Sequence, residues 1–301
     1  MHAPTRGSDA RHGAHRPAAV LCTHFLPAQL LSSLRKKSAT LARTLPLALV
    51  LTDLDAQSMW VYQGVDRYFA PRLDAAHVLR AYGVRPSAIS ISGIPIMPSF
   101  AAGADATRRD ALSRFGLDPD DKRPVVTLMS SGAKLMLAAM EQLLACATPL
   151  RVIALMGRQA DVSARLLELD VPARHSLRPL TYVSEMPLLL RATDLLVGKS
   201  GGLIIAEAAA LSVPMVILDP IPGQETRNAD VVLAAGAALK VNDLPLLART
   251  VDAALDGGRR EAMARAMGGL GRPDAAFEVA DALLDGTLRA PPDDMTSRRL
   301  P

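Results

Sequence analysis

An α/β fold built on parallel sheets is what this sequence predicts, and three observations carry that expectation. From Ala18 onward short apolar runs alternate with amphipathic stretches, the rhythm of parallel strands joined by helices. The composition agrees: the chain is 50% hydrophobic and only 3% aromatic, rich in Ala, Leu, Val and Arg, as suits sheets flanked by helices. The run Leu195-Leu196-Val197 reads as a buried strand that stops at Gly198-Lys199-Ser200-Gly201-Gly202 and passes at once into a helix of Leu, Ile and Ala. A length of 301 residues suits two domains of ordinary size.

Taken in order, residues 1–16 are polar and without periodicity, and are expected to be disordered. Apolar runs at 18–22, 47–51, 67–70 and 89–91 read as strands, with helical stretches around 30–43 and 75–82. They form a first domain over 17–100, closed by Ser92-Gly93-Ile94-Pro95, and residues 97–103 read as a linker. A second domain over 105–285 opens with a helix at 108–115. It continues through a strand at 125–129, a helix at 134–145 and a strand at 151–156. The helix that follows Leu195-Leu196-Val197 ends at Val213-Pro214. Next comes the buried strand Met215-Val216-Ile217-Leu218, which empties into a polar turn carrying Gln224, Glu225 and Asn228. Short Ala-rich helices run from Asp256-Gly257-Gly258 to about residue 284, and 286–301 read as a disordered tail. The sequence carries no internal repeat.

Bulk properties narrow the function. A net charge of +4 permits attraction to anionic phosphates or lipid headgroups, but the excess is small and spread out, and no nucleic-acid partner is expected. The densest basic patch, Arg35-Lys36-Lys37 with Arg43 beyond it, reads as a solvated helix face in preference to a membrane contact. Cys22 and Cys146 sit in apolar surroundings without metal-ligand or disulfide spacing, so both read as buried small residues in a reducing compartment. No run reaches the roughly 18 apolar residues that span a bilayer. Arg6, Arg11 and Arg16 precede a short apolar run, but His24, Pro27 and Gln29 interrupt it too early for a secretory signal. Membrane association is therefore expected to be peripheral, on a cytoplasmic protein.

The chemistry concentrates at two strand ends. A glycine turn feeding a helix presents bare backbone N–H groups and the positive end of the helix dipole, which suits a phosphate. Lys199 adds a mobile cation there, and Glu207 lies where a carboxylate can accept from vicinal ribose hydroxyls. An ordinary strand-turn-helix explains the first loop alone equally well. The second loop shifts the balance, because parallel strands gather ligands at their carboxyl ends and both loops should open into one crevice.

Lys199, Gly201, Gly202, Glu207, Pro222, Gly223, Gln224, Glu225 and Asn228 together form a Lys-x-Gly-Gly loop, a helix Glu, a Pro-Gly-Gln-Glu turn and an Asn three residues on. In this pattern the segment 181–240 resembles the donor-binding half of the lipid-directed glycosyltransferases that include MurG, the plant monogalactosyldiacylglycerol synthases and the bacterial diacylglycerol glucosyltransferases. The first half is similar to the diacylglycerol-directed members at Leu51-Thr52-Asp53-Leu54, Trp60, Val65-Asp66-Arg67-Tyr68 and Ser92-Gly93-Ile94-Pro95-Ile96. The likeness covers roughly residues 20 to 280. It implies a GT-B architecture of two Rossmann-like domains with parallel sheets and an active site between them.

The resemblance also implies roles by position. Lys199, Gly201 and Gly202 would hold the diphosphate of a UDP-sugar, Glu207 its ribose, and Gln224 and Glu225 the hexose hydroxyls, with Gly223 and Asn228 completing the donor loop. Tyr182, Val183 and Met186 match the stretch that receives the uracil, although core packing accounts nearly as well for Val183 and Met186. Asp53 would act as the base, the alternative being a turn or capping aspartate. His24 also follows a strand, but reads as a loop histidine outside the family's catalytic motif. No cofactor and no metal are implied, the UDP-sugar being a co-substrate.

The family's N-terminal glycine-rich histidine loop has no counterpart in the matched region, so the first domain is expected to be incomplete. Three substitutions also depart from the pattern: Ser130-Ser131-Gly132-Ala133 in a glycine-rich turn, Ile204 for a Thr, and Gln57-Ser58 at the place of a His. The leading expectation is transfer of a hexose from a UDP-hexose to a diacylglycerol-type lipid, peripherally at the inner face of the membrane. The rivals are a non-catalytic nucleotide-sugar-binding remnant and, more weakly, a sugar-nucleotide epimerase.

Overall fold

The computed structural model describes residues 17–38, 40, 45–101, 106–129, 132–157, 160–286 and 288. The expectations for residues 1–16 and for most of the tail, like those for Arg43, Ser130 and Ser131, fall outside the described residues. The chain divides into two compact units. The first gathers the described residues up to Thr52, Ala56–Ser92 and those from Phe277 onward; the second gathers Asp53–Asp55 and Gly93–Ala276.

The first unit is a parallel sheet in the order β1 (Val20–Cys22), β2 (Leu47–Val50), β3 (Arg67–Ala70), β4 (Ile89–Ile91). Successive side chains leave a strand on opposite faces, and β2 displays this directly. Leu47 and Leu49 enter one core with Trp60, Tyr68 and Leu79, whereas Ala48 and Val50 enter another with Phe69 and Val279. Helix α1 (Phe25–Lys37) begins five residues before the expected start at 30. His24 is its N-cap: Nδ1 accepts from the backbone N–H of Leu26 at 3.3 Å, and the ring meets Trp60 edge-on. The expected loop histidine is thus a helix cap.

The basic patch on α1 is also not wholly a solvated face. Arg35 is buried and forks onto Asp66, with Nη1 at 2.8 Å and Nη2 at 3.3 Å, and it donates to the carbonyl of Gly64. Asp66 in turn accepts from the N–H of Leu47 at 2.8 Å, which fastens the helix to the start of β2. Lys36 and Lys37 carry no such partner among the described residues.

The second unit is a six-stranded parallel sheet. Its strands are β5 (Val125–Met129), β6 (Arg151–Leu155), β7 (Ser176–Leu180), β8 (Leu195–Gly198), β9 (Met215–Leu218) and β10 (Ala238–Val241), in the order β10-β9-β8-β5-β6-β7. Chain order runs outward in both directions from the β5–β8 pair, which makes that pair the topological switch point. Leu195 and Val197 join Val216 and Leu218 in a core under the helix over Ala133–Leu144. Leu196, Met215 and Ile217 pack on the other face against the helix over Gly202–Ala210. The edge strand β7 was not legible as a strand because Arg178 and Pro179 break its apolar pattern. An edge tolerates a proline, since one side of the strand needs no N–H donor.

Two further expectations are corrected. Within the segment read as a linker, Phe100 is buried in the core of the second unit, whereas Met97, Pro98 and Ser99 are exposed. The polar turn after β9 is a helix over Gln224–Ala234, whose Ala229 and Val232 are buried and whose polar residues occupy its first turn. Cys22 and Cys146 are free and buried, and burial pushes their thiols up to about 11 and about 12.

Replacing Arg35 by Met should destabilise the protein by about 3 kcal/mol, because Asp66 then keeps a poorly solvated charge without its partner. Chemical denaturation reads the difference, and an unchanged midpoint would contradict it.

Candidate functional site

Parallel strands end at one edge of a sheet, so the loops after β8 and β9 lie side by side. The register Leu196↔Met215, Val197↔Val216, Gly198↔Ile217 sets their spacing. Gly198 closes β8 against β5: a Cβ there would meet the carbonyl oxygen of Met129 at 2.9 Å. Beyond it Gly201 caps a helix that starts at Gly202, with no side-chain hydrogen bond to its first N–H groups among the described residues. Gly223, at φ 99°, turns the second loop into the helix that starts at Gln224; only glycine adopts that backbone without strain. Two helix N-termini therefore issue from neighbouring strand ends, each with a positive pole.

One buried hydroxyl fixes the two loops to each other. Ser200 is completely buried and its Oγ donates to the carbonyl of Glu225 at 2.7 Å. Sequence reading passed over it, although a small hydroxyl between a lysine and the glycine pair was the available signal. Glu225 is engaged within its own loop, where Oε2 accepts from the N–H of Ile221 at 2.6 Å.

Lys199, half-buried, has no hydrogen-bond or ionic partner among the described residues. Glu207, on the following helix, is only 9% exposed and also lacks a partner among them. Loss of hydration disfavours its charged form and raises its carboxyl from 4.5 to about 7. A buried carboxylate with no donor facing it is unusual, because burial of an unpaired charge is costly. Such a carboxyl can accept hydrogen bonds from a group that donates them.

The segment Asp53–Asp55 belongs to this unit. Asp53 Oδ2 accepts from Gln224 Nε2 at 2.8 Å, and Oδ1 accepts from Asn228 Nδ2 at 3.1 Å. Asn228 is completely buried, and its Oδ1 accepts from the N–H of Leu54 at 2.7 Å. Its carboxamide thus holds residues 53 and 54. Arg227 pairs with Asp55 at 2.7 Å on the surface, a contact of small energetic value.

Tyr182, Val183 and Met186 follow β7 at the same edge of the sheet, and Met186 packs against the core that holds the helix from Gly202. Tyr182 is 73% exposed, whereas Val183 and Met186 pack against the core. Among the described residues no group of three or more His, Cys, Asp or Glu is placed to hold a metal, and no helix is long and apolar enough to cross a membrane. A cavity of about 500 Å³ opens at the amino ends of β5, β6 and β8, the opposite edge. Most of its guanidinium groups are already engaged, Arg108 and Arg260 with Asp194, Arg123 with Asp121, and Arg151 with backbone carbonyls.

The chain is similar to known proteins in sequence and in fold. Residues 13–96 match the family model for monogalactosyldiacylglycerol (MGDG) synthase, and residues 125–278 match that of the glycosyltransferase family 28 C-terminal domain. A processive diacylglycerol beta-glucosyltransferase of Bacillus pumilus (strain SAFR-032) is 30% identical over 231 residues, 76% of this chain and 58% of the relative. The chain thus spans less than two thirds of the length of that relative. Among solved structures, MurG of Acinetobacter baumannii superposes with a TM-score of 0.67 at 16% identity, covering 92% of this chain and 77% of that one. The UDP-GlcNAc 2-epimerase of Neisseria meningitidis, bound to UDP-GlcNAc, gives 0.66 at 16% identity, with 92% and 78% covered. At such identities the likeness speaks for the fold, an α/β arrangement of two parallel sheets of the GT-B type.

Glu207 makes a testable contribution to stability. A carboxyl raised on folding holds its proton more tightly in the native chain, so its stabilising effect is complete below 4.5 and is lost as the pH rises through about 7. Without ligand, Glu207→Gln should therefore gain stability relative to the natural chain as the pH climbs across that window. A pH-independent difference in denaturation midpoint would contradict it.

Proposed function

The chain belongs to the glycosyltransferase family that unites MurG, the monogalactosyldiacylglycerol synthases and the diacylglycerol glucosyltransferases, and on that premise we propose that it moves a hexose from a UDP-sugar to a diacylglycerol-type lipid. The observation that carries this reading is the pairing of two helix N-termini with Lys199 and the buried Glu207, neither of which has a partner among the described residues. In the proposed complex the diphosphate lies against Gly201, Gly202 and Lys199, where backbone donors and a cation stabilise the charge of the departing UDP. Glu207 accepts from the ribose hydroxyls. Tyr182, with the backbone of Val183 and Met186, lies towards the base. Gln224 and Glu225 face the hexose. Transfer with inversion, without a catalytic metal, completes the proposal, and the lipid acceptor is met peripherally at the inner face of the membrane.

The comparable likeness to a UDP-GlcNAc 2-epimerase favours a second reading, sugar-nucleotide epimerisation, which shares the donor site and needs no acceptor. The 30% identity to a lipid glucosyltransferase supports transfer over it.

Incubation with diacylglycerol vesicles and labelled UDP-glucose, UDP-galactose or UDP-GlcNAc should yield a labelled glycolipid. Absence of product with all three would count against transfer, and interconversion of the nucleotide sugar without vesicles would favour the epimerase. Glu207→Gln should weaken UDP binding by about 1–3 kcal/mol through loss of a charged acceptor. UDP affinity of the natural chain should also rise with pH through about 7, as Glu207 gives up its proton to accept the ribose hydroxyls, and this component should vanish in the variant. Equal affinities in calorimetry would remove Glu207 from the site.

A further inference from the structure

We propose that Asp53 is a positioning residue: its carboxylate locks the carboxamide of Gln224 with Oε1 presented as a hydrogen-bond acceptor for a sugar hydroxyl. The inference rests on the donor-site reading above and adds the direction of the contact. An ionised carboxylate only accepts, whereas a carboxamide has one donor end and one acceptor end. Both oxygens of Asp53 are engaged by N–H donors, Oδ2 with Gln224 Nε2 and Oδ1 with Asn228 Nδ2.

The orientation of Asn228 is fixed independently, because its Oδ1 accepts from the N–H of Leu54 at 2.7 Å. Asn228 must therefore aim its nitrogen at Asp53. Gln224 has no freedom either: turned over, its oxygen would face an oxygen of Asp53 at the 2.8 Å now bridged by a proton. The outward group of Gln224 is thus Oε1. It meets no protein donor among the described residues and is not sealed from solvent. A hexose hydroxyl that donates matches it; a deoxy or O-methyl group at that position does not. Asp53 acts through Gln224, in place of the base role implied by resemblance.

Asp53→Asn breaks the arrangement in a defined way. One carboxamide has a single acceptor oxygen for two N–H donors. Asn228 is held by Leu54, so Gln224 turns and presents Nε2. Asp53→Asn combined with Gln224→Glu restores it: Asn at 53 accepts from Asn228 and donates to Glu at 224, whose second oxygen again accepts.

Calorimetric titration with UDP, UDP-glucose, UDP-galactose and UDP-GlcNAc tests this, with thermal unfolding as a control for folding. Asp53→Asn should bind the best UDP-hexose about tenfold more weakly while UDP affinity stays unchanged, and the double variant should recover the lost affinity. Unaltered UDP-hexose binding in Asp53→Asn, equal loss of UDP and UDP-hexose, or no recovery in the double variant would each overturn the proposal. A natural chain that binds no UDP would instead remove the donor-site reading on which it rests, an outcome separate from the other three.

Discussion

Everything at the candidate site depends on how closely β8 approaches its neighbours. The parallel register with β9 and the side-chain-free contact of Gly198 with Met129 bring two loops to one sheet edge. Each loop then opens into a helix through a glycine, so two positive helix poles stand together, and neither N-cap is closed by a side-chain hydrogen bond among the described residues. The buried Ser200 hydroxyl converts this adjacency into a fixed distance. Packing thus sets the geometry, and the electrostatics follow from it.

Around that frame the unit distributes its polar groups unevenly. Asn228 and the nitrogen of Gln224 are tied to Asp53 and Leu54 across more than 170 residues of sequence, which fixes the direction in which each carboxamide points. Lys199 and Glu207 are left without partners among the described residues. Buried polar networks are stable when every member is satisfied, and the exceptions are where a ligand contributes most. A phosphate and a pair of vicinal hydroxyls are complementary to a lysine at a helix N-terminus and to a desolvated carboxylate.

Much of the architecture was legible because helix and strand periods differ and glycines punctuate the chain. The apolar runs ending at Cys22, Ala70, Ile91 and Met129 are strands within a residue or two of the expected bounds. What escaped has physical reasons. β7 contains Arg178 and Pro179, and β10 carries Lys240 between apolar residues, so neither edge strand has an unbroken apolar pattern. The helix from Gln224 begins with a turn of polar side chains, which hid its buried face at Ala229 and Val232. Arg35 looked like one member of a solvated basic run, since its partner Asp66 lies on a different element. The two glycine turns that open into helices were readable from local sequence. The engagement of Asp53 and the burial of Asn228 were not, because both depend on contacts distant in the chain.

The most direct measurement is the structure of the protein with UDP bound. The account predicts the diphosphate at the N-terminus of the helix that begins at Gly202, beside Lys199, and both ribose hydroxyls within hydrogen-bond distance of Glu207. UDP bound away from the carboxyl ends of β8 and β9, with Glu207 still unpartnered, would contradict it.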